Sequence, residues 1–432
     1  METISEKRER AVLAGLSAAS MDESERSTEQ SMEELAALVD TAGGDTVAIV
    51  MQSRSTPDPR SIIGDGKVQE LKELIAANDC DLAVFDNELS PSQMRVLSEE
   101  LGVKVLDRSG LILDIFAQRA QTREGKLQVE LAQYKYLLPR LTGMWTHLVR
   151  QTASGGRSPI GTRGPGETQL ETDRRHIRRK LQKLEEELAA VRKVRSTQRR
   201  RREKNAMPVV ALVGYTNAGK STLLNCLTGS DIPANDRLFD TLDTTTRRLR
   251  IDESTEVLLS DTVGFIRKLP THLIEAFKAT LEELSFADLL LHVIDISNPE
   301  WEEQARVVNE LIRQLGTEGT PCLRVFNKCD RYIGILPHGE DVICISAKSG
   351  EGADRLVQKL SQLLDRGKKQ VTLLLPYAAG GLLDSLNREA KVLRTEYTDN
   401  GIEVEAVVQP DLFGRVKQYI PGYTETKEDW ES

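Results

Sequence analysis

The sequence predicts an α/β fold that is divided into several domains. Its 432 residues exceed the roughly 250 to 300 residues at which a single hydrophobic core stops growing. In two regions, residues 47–107 and 208–346, apolar runs of strand length alternate with helix-length segments, which is typical of parallel sheets covered by helices. Between these regions, apolar residues recur at spacings of three and four, which predicts long helices.

The composition is typical of a soluble protein in a reducing compartment. Apolar residues make up 39% of the chain and the net charge is -9. No run reaches the about 18 apolar residues of a membrane-spanning helix. The five cysteines show neither a C-x-x-C pair nor metal-ligand spacing, so we expect reduced thiols and a cytoplasmic location. The stretch KRER followed by AVLAGLSAA imitates a signal peptide, but its apolar part is too weak for one.

Residues 1–124 are expected to form an N-terminal parallel α/β domain. Leu35 and Leu38 mark one face of a short helix that stops at two glycines, and strands alternate with helices from residue 47 onwards. Within this domain, Gly64-Asp65-Gly66-Lys67 precedes a helix. An ordinary loop at a helix entry explains that sequence, and an anion site or second nucleotide pocket is the alternative.

Residues 125–205 predict an antiparallel helical hairpin, because both arms carry an apolar seam that two facing helices can share. The seam consists of Leu127, Leu131, Tyr134, Leu138 and Leu141 in the first arm and Ile177, Leu181, Leu184, Leu188, Val191 and Val194 in the second. Pro139 is expected to kink or interrupt the first helix. A loop rich in glycine, proline and arginine, TASGGRSPIGTRGPGE, joins the arms at the tip.

The second arm concentrates positive charge in a chain that is acidic overall. Its basic residues are Arg174, Arg175, Arg178, Arg179, Lys180, Arg192, Lys193, Arg195, Arg199, Arg200, Arg201 and Arg202. Phosphate contacts dominate the affinity of proteins for nucleic acid, and arginine-rich mobile segments suit folded RNA. We therefore expect the hairpin to bind RNA. A solvated helix face is the plain alternative, and an acidic membrane surface is the competing partner.

The stretch VALVGYTNAGKS, residues 210–221, predicts a phosphate-binding loop, since Gly214, Gly219, Lys220 and Ser221 fit G-x-x-x-x-G-K-[ST] after an apolar strand. Glycines let backbone N–H groups close around phosphate oxygens, and the following helix adds a favourable dipole. Lys220 is expected to reach the β and γ phosphates, and Ser221 to bind Mg²⁺. The predicted nucleotide contacts of this loop are Gly214, Tyr215, Thr216, Asn217, Ala218, Gly219, Lys220, Ser221 and Thr222.

The segment 206–368 is expected to form a doubly wound sheet, in which ligands bind beyond the carboxyl ends of the strands. Asp261-Thr262-Val263-Gly264 follows the apolar run EVLLS, and all four residues are predicted nucleotide contacts. This position places the Asp261 carboxylate near Mg²⁺ and the Gly264 N–H toward the γ-phosphate.

Asn327-Lys328-Cys329-Asp330 follows CLRVF and predicts recognition of guanine. Asp330 can accept from both N1–H and the exocyclic amine of guanine, whereas adenine has no N1–H. Asn327 would meet the other edge of the purine, and Lys328 would pack its stem over the base. Ser346-Ala347-Lys348 follows VICI and would close the base pocket with backbone groups. The order of the phosphate loop and these motifs makes GTP the expected nucleotide.

This set of motifs resembles the translation-factor-related GTPases, and four further stretches are similar to the HflX family: LFDTLDTTTR, DTVGFIRKLP, HLIEAFKATLEE and GTRGPGETQLETDRR. The resemblance runs from about residue 47 to about residue 370. We expect a GTPase that binds the large ribosomal subunit in its GTP state, and we expect it to be a monomer, although the sequence itself leaves the oligomeric state open. The resemblance implies that the hairpin tip enters the peptidyl-transferase region and that the protein splits stalled or idle ribosomes.

The resemblance also assigns switch I and the metal ion. Switch I would be Phe239-Asp240-Thr241-Leu242-Asp243, with Thr241 joining Ser221 and Asp261 as a Mg²⁺ ligand. Thr244 and Thr245 are the alternatives for that ligand, and family members usually have proline where this chain has Thr244.

Two further positions bear on hydrolysis. Ras-like GTPases carry a water-orienting glutamine after D-x-x-G, where this chain has Phe265, so intrinsic hydrolysis is expected to be slow and to depend on a partner. In related GTPases an asparagine that matches Asn217 supports a K⁺ ion in place of an arginine finger, although asparagine is also favoured in tight loops. The expected catalytic residues are Lys220, Thr241, Gly264 and Asn217.

Residues 369–432 predict a small C-terminal α/β subdomain with the order strand, helix, strand, turn, strand. Docking onto a partner is its expected role. Two rival functions stay open at this point. One is a GTPase switch with a protein or membrane partner, and the other is ATP-dependent RNA remodelling at a second site around Lys67.

Overall fold

The structure is a computed structural model that describes residues 8–152, 174–191, 193, 207–230, 238–239, 245–251, 255–269, 273, 284–317, 319–364, 369–398, 400–408 and 410–423. The predicted α/β fold class is confirmed. The chain divides into two compact units. The first comprises Met1–Val194, Val209–Arg248 and Leu259–Ala353, and the second comprises Arg195–Pro208, Leu249–Leu258 and Asp354–Ser432.

The N-terminal part of the first unit is a four-stranded parallel sheet with helices on it. Its elements in chain order are β1 Glu9–Ala18, α1 Glu29–Ala42, β2 Gly44–Arg54, α2 Asp65–Asn78, β3 Leu82–Phe85, α3 Pro91–Leu101, β4 Lys104–Asp107 and α4 Arg108–Arg119. The strand order is β2-β1-β3-β4, and all neighbours are parallel. Helix α1 stops at Gly43, whose φ of 92° is a left-handed conformation that glycine adopts at no steric cost.

Strand β1 is the element of this sheet that the sequence patterns missed. It is formed by the AVLAGLSAA stretch near the start of the chain, and its residues from Ala11 to Leu16 are all buried. A central strand is covered on both faces, so its sequence is continuously apolar and lacks the alternation that marks a half-exposed strand.

A helical hairpin follows the sheet, as predicted. Its first arm is α5, Arg123–Thr152, and its second arm is α6, the helical residues 174–191. Leu127 and Leu131 pack against Leu184 and Leu188 in one apolar cluster. Helix α5 runs through Pro139 without interruption. The tip loop and the end of the second arm lie outside the described residues, and so do Val194, Arg192, Arg195 and Arg199 to Arg202.

The second sheet has six strands, in the order β10-β9-β8-β5-β7-β6. The elements in chain order are β5 Val209–Gly214, α7 Lys220–Thr228, β6 Thr245–Arg250, β7 Glu256–Asp261, β8 Leu289–Asp295, α8 Trp301–Gln314, β9 Cys322–Asn327, β10 Val342–Cys344 and α9 Ala353–Leu364. Strands β5, β8, β9 and β10 are parallel to their neighbours in that set. All six strands predicted from apolar runs are present. Strand β5 lies at the centre, between β8 and β7, where the strand order reverses.

The hydrophobic core of the first unit is continuous between its two sheets. One cluster contains Leu35 of α1 and Phe116 of α4 together with Val213 of β5 and Phe265 and Ile266 beyond β7. The N-terminal helices therefore pack directly against the segment that follows the D-x-x-G motif.

The second unit contains a three-stranded antiparallel sheet. Its elements are β11 Lys369–Leu375, α10 Gly380–Glu389, β12 Lys391–Thr398, β13 Gly401–Val408 and α11 Pro410–Val416, with the sheet order β11-β13-β12. The order strand, helix, strand, turn, strand is the predicted one, and helix α11 follows it as an element that the sequence patterns did not predict. Within the described part of the chain, no helix is both long and apolar enough to span a membrane.

Candidate functional site

The phosphate loop connects the end of β5 to the start of α7, and two of its glycines are required by close contacts. A Cβ atom on Gly214 would lie 2.3 Å from the carbonyl oxygen of Val293, and one on Gly219 would lie 2.3 Å from Nδ2 of Asn327. Gly219 also has a φ of 92°. Any larger residue at either position would displace the neighbouring strand ends, so the loop depends on both glycines.

Lys220 opens helix α7 and its ammonium group lies inside the loop. Nζ donates to the carbonyl oxygens of Gly214 at 3.1 Å and Tyr215 at 2.8 Å. Burial lowers the pKa of Lys220 to about 8, and the carboxylate of Asp261 opposes that shift. The lysine is thus positioned by backbone at the point where the sequence predicts the β and γ phosphates.

Ser221 and Asp261 meet at the end of the loop. The Ser221 hydroxyl donates to Oδ2 of Asp261 at 2.6 Å, although the two residues are 40 positions apart. A hydroxyl and a carboxylate beside a phosphate site are the oxygen ligands that Mg²⁺ takes in proteins, so these two residues fit the ion. Thr241, the predicted third protein ligand, lies outside the described residues, and so do Asp240, Leu242, Asp243 and Thr244.

The D-x-x-G segment lies against the phosphate loop. The Phe265 N–H donates to the Gly214 carbonyl at 3.1 Å, and the Thr216 N–H donates to the Phe265 carbonyl at 2.7 Å. A Cβ atom on Gly264 would lie 2.9 Å from Nζ of Lys220. Gly264 is therefore adjacent to the lysine, as expected for a residue that faces the γ-phosphate.

The side chains next to Gly264 are buried in the protein. Thr262 donates its hydroxyl to the Leu212 carbonyl at 2.6 Å, and Val263 and Phe265 are buried. Phe265 is 1% exposed and apolar, so it presents no group that could orient a water molecule. Thr262 and Val263, which the sequence predicted as nucleotide contacts, turn their side chains into the protein.

Asn327 connects the base-recognition segment to the phosphate loop. Its Nδ2 donates to the Ala218 carbonyl at 2.9 Å, and its Oδ1 accepts from the Ala347 N–H at 2.9 Å. The side chain is buried and both ends of its amide are engaged by protein. In the structure this amide joins two loops, and the predicted contact of Asn327 with the purine edge stays a prediction.

Lys328 and Asp330 flank Cys329 on the solvent side. Nζ of Lys328 donates to the Asn217 carbonyl at 3.0 Å and pairs with Oδ2 of Asp295 at 2.8 Å. A hydrogen bond from Ser346 holds the pKa of the Asp330 carboxyl below its ordinary value. No sequence motif marks Asp295, although this residue ends β8 and ligands gather at the ends of parallel strands.

The loop before α2 is not arranged like the phosphate loop. The Gly64 N–H donates to Oε1 of Gln52 at 2.8 Å, and Nζ of Lys67 pairs with Glu70 at 2.7 Å. The N–H and the ammonium that an anion would need are thus engaged within the protein. This arrangement favours the ordinary loop at a helix entry over a second nucleotide pocket.

Comparison with protein families matches three consecutive parts of the chain. Residues 29–117 match the N-terminal region of GTP-binding GTPases, residues 119–202 match their middle region, and residues 209–328 match the 50S ribosome-binding GTPase family. The GTPase HflX of Caldanaerobacter subterraneus subsp. tengcongensis is 46% identical over 421 residues, which is 97% of this chain and 96% of that protein. The chain belongs to the HflX GTPase family.

A second HflX protein and one solved structure are also similar to this chain. GTPase HflX of Escherichia coli K12 is 44% identical over 360 residues, 82% of this chain and 83% of that protein. A solved GTP-binding protein of Sulfolobus solfataricus in complex with GDP is 27% identical, with a TM-score of 0.44, and the match covers 83% of this chain and 99% of that one. As a member of the HflX family, the chain is a GTPase. P-loop GTPases generally use Mg²⁺ with the nucleotide, which fits the Ser221 and Asp261 pair.

Proposed function

We propose that this HflX GTPase binds the large ribosomal subunit in its GTP state and splits stalled or idle ribosomes. GTP would order switch I and also switch II, the segment that begins at Asp261, contains Gly264 and continues to Lys268. The ordered state would bind the subunit, and hydrolysis would release it. The family description of residues 209–328 names ribosome binding, and the curated relatives are HflX proteins over nearly the whole chain. The cytoplasm, where ribosomes are found, is the location that this proposal requires.

The basic start of α6 is the observation that carries the proposal. Arg175, Arg178 and Arg179 are exposed, and Arg174 is partly exposed. Among the described residues, none of these four arginines forms an ion pair. Farther along the same arm the charges are compensated, as in the pair of Lys180 with Glu130 at 3.0 Å. Arginines that pair with no described carboxylate, at the start of the arm that follows the tip loop, suit phosphate groups of rRNA, whereas a solvated face usually mixes both signs.

Within the nucleotide site, the proposal assigns the following roles. Lys220 and the loop backbone would hold the phosphates, Ser221, Asp261 and Thr241 would hold Mg²⁺, and Asp330 would recognise guanine. Mg²⁺ would neutralise charge on the β and γ phosphates. Because Phe265 cannot orient water, hydrolysis would be slow until the ribosome supplies the missing group.

The proposal also assigns boundaries to four domains and roles to two of them. We place the boundaries at 1–124 for the N-terminal domain, 125–205 for the hairpin, 206–368 for the nucleotide-binding domain and 369–432 for the C-terminal subdomain. The hairpin would contact rRNA, and the C-terminal subdomain would dock on a neighbouring ribosomal surface. The protein would act as a monomer.

Charge removal at the hairpin tests the proposal. A variant with Arg174→Gln, Arg175→Gln, Arg178→Gln and Arg179→Gln is expected to bind 50S subunits about tenfold or more weakly in co-sedimentation at 150 mM salt. Each phosphate contact that is lost means fewer counterions released on binding, and this release favours binding. A matched control neutralises four exposed cations elsewhere, Lys72, Lys104, Arg306 and Arg313. Equal binding of both variants would favour a protein or membrane partner instead.

A further inference from the structure

Two residues of the predicted switches have backbone conformations that non-glycine residues rarely adopt. Phe239, at the start of predicted switch I, has a φ of 55°, and Lys268, four residues after Gly264, has a φ of 53°. Such conformations persist where the surrounding structure determines them. Both residues contact the N-terminal part of the first unit. The ring of Phe239 meets the ring of Phe116 edge-on at 4.7 Å, and Lys268 forms an ion pair with Asp86.

Asp86 is the fixed end of the Lys268 contact. It follows β3, is 1% exposed, and accepts hydrogen bonds from the hydroxyls of Ser27 at 2.8 Å and Ser31 at 2.9 Å. Arg108 donates to its second oxygen at 2.8 Å. Burial opposes ionisation, but Arg108 and Lys268 hold the pKa of Asp86 below its ordinary value. An ionised, fully hydrogen-bonded carboxylate inside a packed core is a rigid attachment point.

Tyr215 of the phosphate loop makes the second attachment. Its hydroxyl donates to Oε2 of Glu34 on α1 at 2.6 Å and accepts from the Arg267 N–H at 2.9 Å. Glu34 is itself paired with the buried Arg108. A single hydroxyl therefore joins the N-terminal helix α1 to the backbone of the segment that follows Gly264.

These attachments bear on Gly264 through a short stretch of chain. Phe265 is hydrogen-bonded to the phosphate loop, and Arg267 and Lys268 are held by Tyr215 and Asp86. The segment that follows Gly264 is thus held by the phosphate loop at Phe265 and by Tyr215 and Asp86 at Arg267 and Lys268. The Gly264 N–H is the group that a γ-phosphate requires and that GDP does not use.

We propose that the N-terminal domain preorders switch II for the γ-phosphate, with Tyr215, Glu34 and Asp86 as positioning residues that favour GTP over GDP. A loop that is ordered before binding loses less conformational freedom when the ligand arrives, so its ligand binds more tightly. The effect is specific to the triphosphate because the ordered segment has no contact to make with GDP.

The test compares two buried tyrosines in the full-length protein. Tyr215→Phe removes only the hydroxyl that joins Glu34 to Arg267. Tyr136→Phe is the matched control, because its hydroxyl donates to Asp107 at 2.7 Å and so joins helix α5 to the end of β4. Dissociation constants for GDP and for a non-hydrolysable GTP analogue are measured with fluorescent nucleotides, and melting temperatures report general destabilisation.

We expect Tyr215→Phe to weaken the GTP analogue about three- to tenfold more than it weakens GDP, because the hydroxyl that holds the segment after Gly264 is lost whereas the backbone of the phosphate loop is kept. Glu34→Ala is expected to act in the same way, and the double variant no more strongly than either single one. Lys268→Met tests the Asp86 attachment separately and remains informative if Glu34→Ala does not fold. Tyr136→Phe should leave the ratio of the two affinities unchanged.

Three results would overturn the proposal. In the first, Tyr215→Phe and Lys268→Met leave the ratio of GTP-analogue to GDP affinity unchanged. In the second, both nucleotides weaken equally, which would indicate damage to the phosphate loop alone. In the third, Tyr136→Phe shifts the ratio as much as Tyr215→Phe, which would indicate loss of stability rather than positioning.

Discussion

Nδ2 of Asn327 donates to the carbonyl oxygen of Ala218 at 2.9 Å, across 109 positions of the chain. This bond joins the segment that would recognise the base to the loop that would hold the phosphates. Because Oδ1 of the same amide accepts from the Ala347 N–H, one side chain sets the spacing of three loops. The two ends of the predicted nucleotide site are therefore joined by the side chain of Asn327.

Gly219 lies so close to the Asn327 side chain that one added methyl group is expected to disrupt nucleotide binding. Gly219→Ala would place Cβ 2.3 Å from Nδ2 of Asn327 and strain a φ of 92°, so we expect GTP and GDP affinities to fall together by about a hundredfold or more. Gly229→Ala is the matched control, since Gly229 has a φ of 64° with nothing within 4 Å of the added atom. Isothermal titration should show near-normal binding for Gly229→Ala and its loss for Gly219→Ala.

Guanine selectivity is expected to depend on Asp330. Asp330→Asn replaces one acceptor oxygen by a donor, so GTP affinity should fall by about two to four orders of magnitude, with a gain for xanthosine triphosphate. Asp341→Asn, which changes the same charge just before β10, should leave both affinities as they are. Competition binding with the two nucleotides measures the shift, and an unchanged preference would contradict the assigned base site.

Asn217 provides a test of monovalent ion dependence. Its φ is 60°, so the residue suits the loop for its backbone conformation alone, and the family resemblance assigns its side chain to a K⁺ site. We expect GTP turnover on 50S subunits to be faster in K⁺ than in Na⁺ by about a hundredfold, the scale of one preorganised group that stabilises charge in the transition state. Asn217→Gly keeps the left-handed backbone and removes the amide, so it should abolish the difference. Equal rates in both salts for the unmodified protein would show that K⁺ has no specific role in hydrolysis.

The buried His292 of β8 predicts a pH effect on stability rather than on activity. Burial, with Arg324 and Lys220 nearby, lowers its pKa to about 4. Between that value and the ordinary 6.5, the unfolded chain binds a proton that the folded chain does not, so stability is lost as the pH falls through this window. The loss should be on the order of 3 kcal/mol in total.

His292→Asn keeps a neutral polar group at this position and should flatten that slope. Denaturant unfolding at several pH values between about 4.5 and 7.5 compares the two proteins. If the free energy of unfolding depends on pH in the same way in both proteins, groups other than His292 cause the loss of stability at low pH.

Much of the nucleotide site could be predicted from the sequence because each of its motifs follows an apolar run. Strands β5, β7, β9 and β10 end at the phosphate loop, Asp261, Asn327 and the segment before Ser346, and parallel strands bring those ends to one edge. The hairpin was predictable for a similar reason, since its seam repeats at helical spacing in both arms.

The contacts that sequence patterns could not predict join residues far apart in the chain. Tyr215 and Glu34 are separated by 181 positions, and neither has a spacing or a neighbour that marks the pair. Arg108 is 2% exposed although arginine is rarely buried, because two carboxylates from other elements surround it. Strand β1 was missed since a strand buried on both faces does not alternate. Such features are set by the packing of elements on one another.

The central claim is that nucleotide state controls binding to the large ribosomal subunit. Sedimentation of 50S subunits with the full-length protein in GDP, and in a non-hydrolysable GTP analogue, tests it most directly. We expect the protein to pellet with 50S subunits in the analogue and to remain largely in the supernatant in GDP. Equal binding in the two nucleotides, or binding in neither, would contradict the account.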